Sequence, residues 1–335
     1  MLVSWNSTNQ CNMYCDHCYR DAGAKLSDEL TTDQAKKLIT EIKKAGFHIM
    51  IFSGGESLMR EDIYELGAFA AKQGLRPVLG TNGTLITPQV AKDLKKAGFM
   101  AAGVSLDSLD PAKNDEFRKL KNTYELTITG MKNLKEAGLP FQIHTTVMDW
   151  NVDELEQITD FAIEIGAMAH HVFFLVPTGR AINIEEEALR VVEYEKTIAR
   201  LMEKQKQVPI EIKPTCAPQF LRVADKKGID MRFSRGCLAG ISYCIISPKG
   251  DVQPCAYLDI PLGNVKEKPF DEIWRENELL NNLRTKAYKG KCGHCDYIDR
   301  CGGCRARAYY YSNGDYMAED EWCLYKPRRL EDGQN

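Results

Sequence analysis

From residue 31 to about 176 the chain repeats one unit, an amphipathic helix followed by a glycine and a short apolar strand. The glycines are Gly46, Gly74, Gly98, Gly138 and Gly166, each placed to take the left-handed position past a helix end. In the first unit Thr31 or Thr32 caps a helix whose Ala35, Leu38, Ile39 and Ile42 fall on one face, and a strand follows over 47–52. In the third unit Thr87-Pro88 supplies an N-cap and a first-turn proline, Gly98 closes the helix, and a strand runs over 100–106. The same reading places strands at 76–80, 141–147 and 171–176, with 2–6 as the first of six. Alternating strands and helices predict an α/β fold with a parallel sheet and right-handed crossovers, either a partly closed barrel or a doubly wound sheet. Reactive groups then belong at the C-terminal ends of the strands.

Beyond this region the grammar changes. A charged helical stretch over 184–207 opens a connecting segment, 184–236, and residues 237–325 read as a small domain held by metal rather than by a large core. The expected division is thus 1–183, 184–236 and 237–325, with 331–335 frayed. Across the 335 residues, 44 Lys and Arg face 47 Asp and Glu, so no basic field offers itself to a nucleic acid. No apolar run approaches the ~20 residues of a membrane span. The N-terminal Met1-Leu2-Val3-Ser4-Trp5 lacks a signal core, and a cytoplasmic location is expected.

Twelve cysteines sit mainly at the two ends of an otherwise ordinary globular sequence, which fits metal ligation better than a disulfide scaffold. Directly after the first strand come Cys11, Cys15 and Cys18 in a CxxxCxxC loop. Three thiolates can hold three irons of a [4Fe–4S] cluster and leave the fourth open to a ligand. The alternative, a zinc knuckle, needs His17 to point back inward from a tight loop. Eight more cysteines, Cys237, Cys244, Cys255, Cys292, Cys295, Cys301, Cys304 and Cys323, suit two closed four-cysteine clusters. In isolation, the run from Cys292 to Cys304 also suits zinc. Cys216, between Pro214 and Pro218, is left over, either a small buried hydrophobe or a substrate-facing thiol.

The cysteine loop, followed by Gly54-Gly55-Glu56 at the end of the second strand, resembles the radical S-adenosylmethionine (SAM) superfamily. The resemblance implies a partial (β/α)6 TIM-type barrel in which SAM chelates the open iron and is cleaved by one electron to a 5′-deoxyadenosyl radical. It assigns Tyr19 beside the third cysteine, and Gly54, Gly55 and Glu56 to the methionine amino group. Ser57 stands where the usual motif has proline. Ser105 and Asp107 match the fourth-strand motif, Asn82 ends the third strand, and Arg118 matches an arginine able to pair with the SAM carboxylate. The C-terminal order, including Cys237-x12-Gly250-x4-Cys255, is similar to the SPASM extension of these enzymes. That implies one or two auxiliary [4Fe–4S] clusters, the first on Cys237, Cys244, Cys255 and Cys304, the second on Cys292, Cys295, Cys301 and Cys323. Only Gly302-Gly303 lie between the last clustered pair, one residue fewer than usual.

Longer segments, 169–180, 214–218, 301–309 and 314–319, resemble the tetrapyrrole-modifying branch of that superfamily, which makes haem and haem d1. This implies an oxidative decarboxylase that turns the propionates of iron-coproporphyrin III into the vinyl groups of haem b, fed by a low-potential donor such as ferredoxin or flavodoxin. Arg180, Arg305 and Arg307 are candidates to hold propionates, and His170, His171 and Cys216 to contact the substrate iron. His144 is expected to line the cavity. The alternatives are side-chain removal from didecarboxysiroheme and a SPASM peptide maturase. The ten residues before Cys11 favour the first reading, because the sister enzymes and the maturases usually carry a longer leading segment.

Overall fold

The computed structural model describes residues 1–327, so the expected frayed tail at 331–335 lies outside the described residues. Ten strands form one sheet: β1 (Leu2–Asn6), β2 (Ile49–Ser53), β3 (Arg76–Thr81), β4 (Ala101–Ser105), β5 (Phe141–Val147), β6 (Ala169–Phe174), β7 (Glu211–Thr215), β8 (Tyr243–Ile246), β9 (Asp251–Gln253) and β10 (Gly263–Asn264). Their order is β10-β9-β8-β1-β2-β3-β4-β5-β6-β7. Strands β1 to β7 run parallel in chain order, β8 lies parallel on the other side of β1, and β9 and β10 turn back antiparallel. The sheet is not closed: its described edges are β7 and β10. This is the α/β partial barrel expected, with each of the six anticipated strands within two residues of its place.

The local chemistry follows the sequence. Thr31 caps the helix Thr32–Lys44 and forms a capping box with Gln34. Buried Leu38, Ile39 and Ile42 then anchor it, each worth about 1.5–3 kcal/mol. All five unit glycines have positive φ, from 65° to 91°, which ends each helix without a Cβ penalty.

Two features differ from the expectation. The segment 184–236 carries strand β7, which the helical reading passed over. Its five residues alternate polar and apolar only briefly and include Pro214, which an edge strand tolerates because one side needs no ladder bond. Strands β8 to β10 of the cysteine-rich region also extend the barrel sheet, so the small C-terminal region shares the main core through Cys244, Ile246 and Val252. No helix among the described residues is long and apolar enough to cross a membrane.

Burial alternates along the strands. On β5, Phe141, Ile143, Thr145 and Val147 are buried under the helices, while Gln142, His144 and Thr146 keep partial exposure on the opposite, concave face. On β6 the same alternation buries His170, Val172 and Phe174 and turns His171 and Phe173 inward. The concave face is therefore the polar one.

Candidate functional site

The CxxxCxxC loop emerges from β1 and is joined to the end of β2 by backbone bonds. Ser7 N donates to Ser53 O at 2.7 Å, Gly55 N to Thr8 O at 2.8 Å and Glu56 N to Gln10 O at 2.8 Å. The approach is close enough to demand glycine. A Cβ on Gly54, whose φ is +146°, would lie 2.4 Å from Thr8 O, and one on Gly55 would lie 2.3 Å from Gln10 O. These N–H groups are committed to the loop, and a ligand amino group, itself a donor, would be met by carbonyl oxygens.

Glu56 is fully buried, and the chain itself engages its carboxylate. Its carboxylate accepts from Leu58 N, from Thr81 Oγ1 through both oxygens and from Asn82 N. Burial raises its pKa, and these bonds to the charged form oppose that rise. Glu56 thus ties the end of β2 to the end of β3. Asn82 in turn donates to Asn12 Oδ1 at 2.8 Å, which links β3 to the cysteine loop. Tyr19 donates to Asn6 Oδ1 at 3.0 Å.

Asp107 and Arg118 form a buried ion pair, with Arg118 Nη2 donating to Asp107 Oδ2 at 2.5 Å. Thr146 N donates to the other carboxylate oxygen at 2.8 Å. Arg118 Nε is buried without a partner beside Cys15, whose thiol donates to Arg118 O at 3.7 Å. A bound carboxylate or an anionic cluster would satisfy that orphan donor.

Burial holds the Cys11 thiol up at about 11 and raises that of Cys15, and the neighbouring thiols add to both rises. Iron binding displaces those protons. The zinc-knuckle alternative does not fit. His17 stacks on Phe117 at 4.2 Å between centroids, and its Nε2 lies 3.9 Å from Asp107. Among the described residues no three Cys, His, Asp or Glu groups converge as a single ion requires, whereas a four-iron cluster takes its thiolates around a wider perimeter.

The C-terminal thiols separate into two groups and one outlier. Cys292, Cys295, Cys301 and Cys323 line one cavity with Gly302 and Gly303. Backbone N–H groups point at its sulfurs: Asp320 N at Cys292, Tyr297 N at Cys295 and Gly303 N at Cys301, each at 3.4 Å. Such donors stabilise thiolates that carry a cluster, so these residues fit the group. Cys216, Cys255 and Cys304 pack in a second cluster near Cys237. Cys244 lies with neither group. It is fully buried on β8 opposite Val3, and the Arg284 guanidinium acts on it electrostatically. The second group is connected to the first loop through aromatics: Tyr257 N donates to Cys255 Sγ at 3.3 Å, and the Tyr257 ring meets Tyr19 at 5.4 Å.

Several expected substrate contacts are placed otherwise. His170 faces the helices, fully buried, with both ring nitrogens engaged, by Thr159 at 2.8 Å and Thr145 at 2.9 Å. It has no free nitrogen for an iron. All three arginines make hydrogen bonds within the chain. Arg180 straps the cysteine loop through Cys15 O at 2.9 Å and Asp21 at 2.7 Å. Arg305 donates to Ala318 O and lies over Tyr288, and Arg307 donates to Tyr194 Oη and Cys216 O. What the concave face presents instead is a row across four strands in register: Ser105, His144, His171 and Lys213. The two imidazoles stack 5.3 Å apart, and burial holds His144 at about 4 and His171 well below its ordinary value, so both are neutral. Lys213, which the sequence reading missed, lies 3.9 Å from the Phe233 ring. The alternation of β7 with Pro214 in place was its only signal.

The profile of the Radical SAM superfamily matches residues 5–162, and that of the SPASM iron–sulfur cluster-binding domain matches 237–304. An AdoMet-dependent heme synthase of Nitratidesulfovibrio vulgaris strain Hildenborough is 42% identical over 98% of this chain and 93% of its own. An Fe-coproporphyrin III synthase of Methanosarcina barkeri is 31% identical over 96% and 87%. Among solved structures, Streptococcus suis SuiB bound to the precursor peptide SuiA shares the fold, with a TM-score of 0.79, 18% identity and coverage of 97% and 76%. The chain belongs to the radical SAM superfamily: it is an enzyme that works with S-adenosylmethionine and a [4Fe–4S] cluster and carries a C-terminal SPASM domain for auxiliary iron–sulfur clusters.

Proposed function

We propose that this enzyme is a haem synthase, converting two propionates of iron-coproporphyrin III into the vinyl groups of haem b. The observation that carries the reading is full-length identity of 42% to a protein named AdoMet-dependent heme synthase, against 31% to one named Fe-coproporphyrin III synthase. The concave face supplies what such a substrate needs. Lys213 offers a cation to a carboxylate and neutral His171 an imidazole nitrogen to an iron, while His144 Nε2 is engaged by the Gln142 amide at 2.7 Å.

The cluster on Cys11, Cys15 and Cys18 with SAM supplies hydrogen-atom abstraction from an unactivated carbon. The chain's own residues position and shield. Gly54 and Gly55 seat the SAM methionine against the loop, and Glu56 and Asn82 hold that seat to β3. Arg118, oriented by Asp107, completes it with a positive charge. Lys213 and the imidazole row fix the macrocycle so that one propionate β-carbon at a time faces the loop. Each propionate then loses a β-hydrogen, carbon dioxide and one electron and becomes a vinyl group. A cluster held by the thiols beside Tyr257, which packs on Tyr19, would supply the acceptor for that electron. A low-potential donor such as ferredoxin or flavodoxin supplies the reducing electron.

Anaerobic incubation of reconstituted protein with SAM, dithionite and iron-coproporphyrin III tests this. Two decarboxylations remove two carbon dioxide and four hydrogens, a product lighter by about 92 mass units. Unchanged iron-coproporphyrin with conversion of didecarboxysiroheme, or with modification of a peptide, would overturn the proposal.

A further inference from the structure

We propose that the first auxiliary cluster takes its fourth ligand from outside the SPASM domain: Cys216, at the end of β7, joins Cys237, Cys255 and Cys304, and Cys244 is a core residue without a metal role. The proposal concerns the metal centre alone and stands whichever substrate the enzyme uses.

Cys244 cannot reach such a site without leaving the sheet. Its register partner on β1 is Val3, and its side chain sits in the main core with Leu280 and Leu283. A buried cysteine there acts as a small hydrophobe. Cys216 is placed in the opposite way. It follows the last residue of β7 and packs with Cys255 and Cys304 against Val176 and Leu258. The thiols of Cys304, Cys255 and Cys237 all act on it electrostatically, as Cys304 and Cys237 do on Cys255.

The backbone converges on the same point. Arg307, three residues past Cys304 and fully buried, donates to Cys216 O at 2.5 Å. Gly236, next to Cys237, lies against Pro218, where a Cβ would meet Pro218 Cα at 2.8 Å. Cys237 N donates to Cys301 O at 3.1 Å, which fixes it beside the Gly302-Gly303 turn leading to Cys304. Cys216 itself has φ +59°, a left-handed conformation in which a residue with a Cβ is disfavoured and glycine is not.

The test uses the full chain with Cys11, Cys15 and Cys18 changed to alanine, so that only auxiliary iron remains. Into this parent go Cys216→Gly, Cys216→Ala and Cys244→Ala, each reconstituted anaerobically and read by iron and sulfide content and by low-temperature EPR after reduction and after oxidation. Cys216→Gly suits the local φ, so its thermal unfolding should match the parent's and separate ligand loss from misfolding. The expected result is that both Cys216 variants lose one auxiliary cluster's signal, or show a three-iron signal on oxidation, while Cys244→Ala keeps the parent's iron and spectrum. Parental iron and spectrum in folded Cys216→Gly would overturn the proposal, as would loss of a cluster in folded Cys244→Ala.

Discussion

Replacing Gly55 by alanine should separate the SAM seat from the cysteine loop. The added methyl would lie 2.3 Å from Gln10 O and 2.6 Å from Asn9 O, both backbone atoms that cannot rotate away. Restoring ordinary contact at about 3.3 Å requires the two segments to part by roughly 1 Å, with Cys11 moving along, since it is the residue after Gln10. A displacement of that size at a reacting centre costs on the order of 100-fold in rate. The stability cost of such overpacking is smaller, about 1–3 kcal/mol. Gly23 is the matched control. It donates to Asn9 O and accepts from Cys11 N, yet a Cβ there meets nothing within 4 Å. The assay is reductive SAM cleavage to 5′-deoxyadenosine, normalised to iron content. Gly23→Ala should behave as wild type and Gly55→Ala should lose about two orders of magnitude. Cleavage by Gly55→Ala within threefold of wild type would refute the reasoning.

Asp107→Asn leaves the Arg118 guanidinium buried without its counter-charge and should lower the stability of the iron-free protein by about 3–5 kcal/mol, read from the urea midpoint; a change under about 1 kcal/mol would contradict the pair's assigned weight. His170 titrates near 3 in the fold, because of burial, against about 6.5 unfolded, so the unfolded chain gains a proton first and stability falls as pH drops below 6.5. Between pH 7 and pH 5 this amounts to about 2 kcal/mol, and His170→Gln should show a decline shallower by about that much in thermal or urea unfolding. Lys213→Met should weaken tetrapyrrole binding by about ten- to a hundredfold, measured by optical titration, with substrate-free SAM cleavage unaltered.

The barrel was legible because its units obey local rules that tertiary packing did not override: Thr31 and Thr87 cap their helices, and the glycines after them take positive φ. The cysteine loop was legible for a similar reason, since its ligands are neighbours in sequence. The auxiliary thiols were harder. Cys244 lies only seven positions past Cys237, but a strand turns it into the core, and sequence spacing cannot say which way a strand residue faces. Cys216 joins the other sulfurs only through packing of segments far apart in the chain. The adjacent histidines show the same limit. His170 and His171 were equivalent as candidates, and the pleat of β6 sends one to the helices and the other to the concave face. The arginines looked like substrate contacts because charge is visible in sequence while burial is not; Arg305 and Arg307 are both fully buried and serve backbone carbonyls.

The central claim is that the Cys11–Cys15–Cys18 loop, seated on Gly54-Gly55, directs hydrogen abstraction at a propionate β-carbon held on the concave face. Iron-coproporphyrin III deuterated at its propionate β-carbons tests it most directly, with 5′-deoxyadenosine and porphyrin products followed by mass spectrometry. The account predicts one deuterium transferred into 5′-deoxyadenosine for each vinyl group formed. Vinyl formation with unlabelled 5′-deoxyadenosine, or labelled 5′-deoxyadenosine without loss of carbon dioxide, would contradict it.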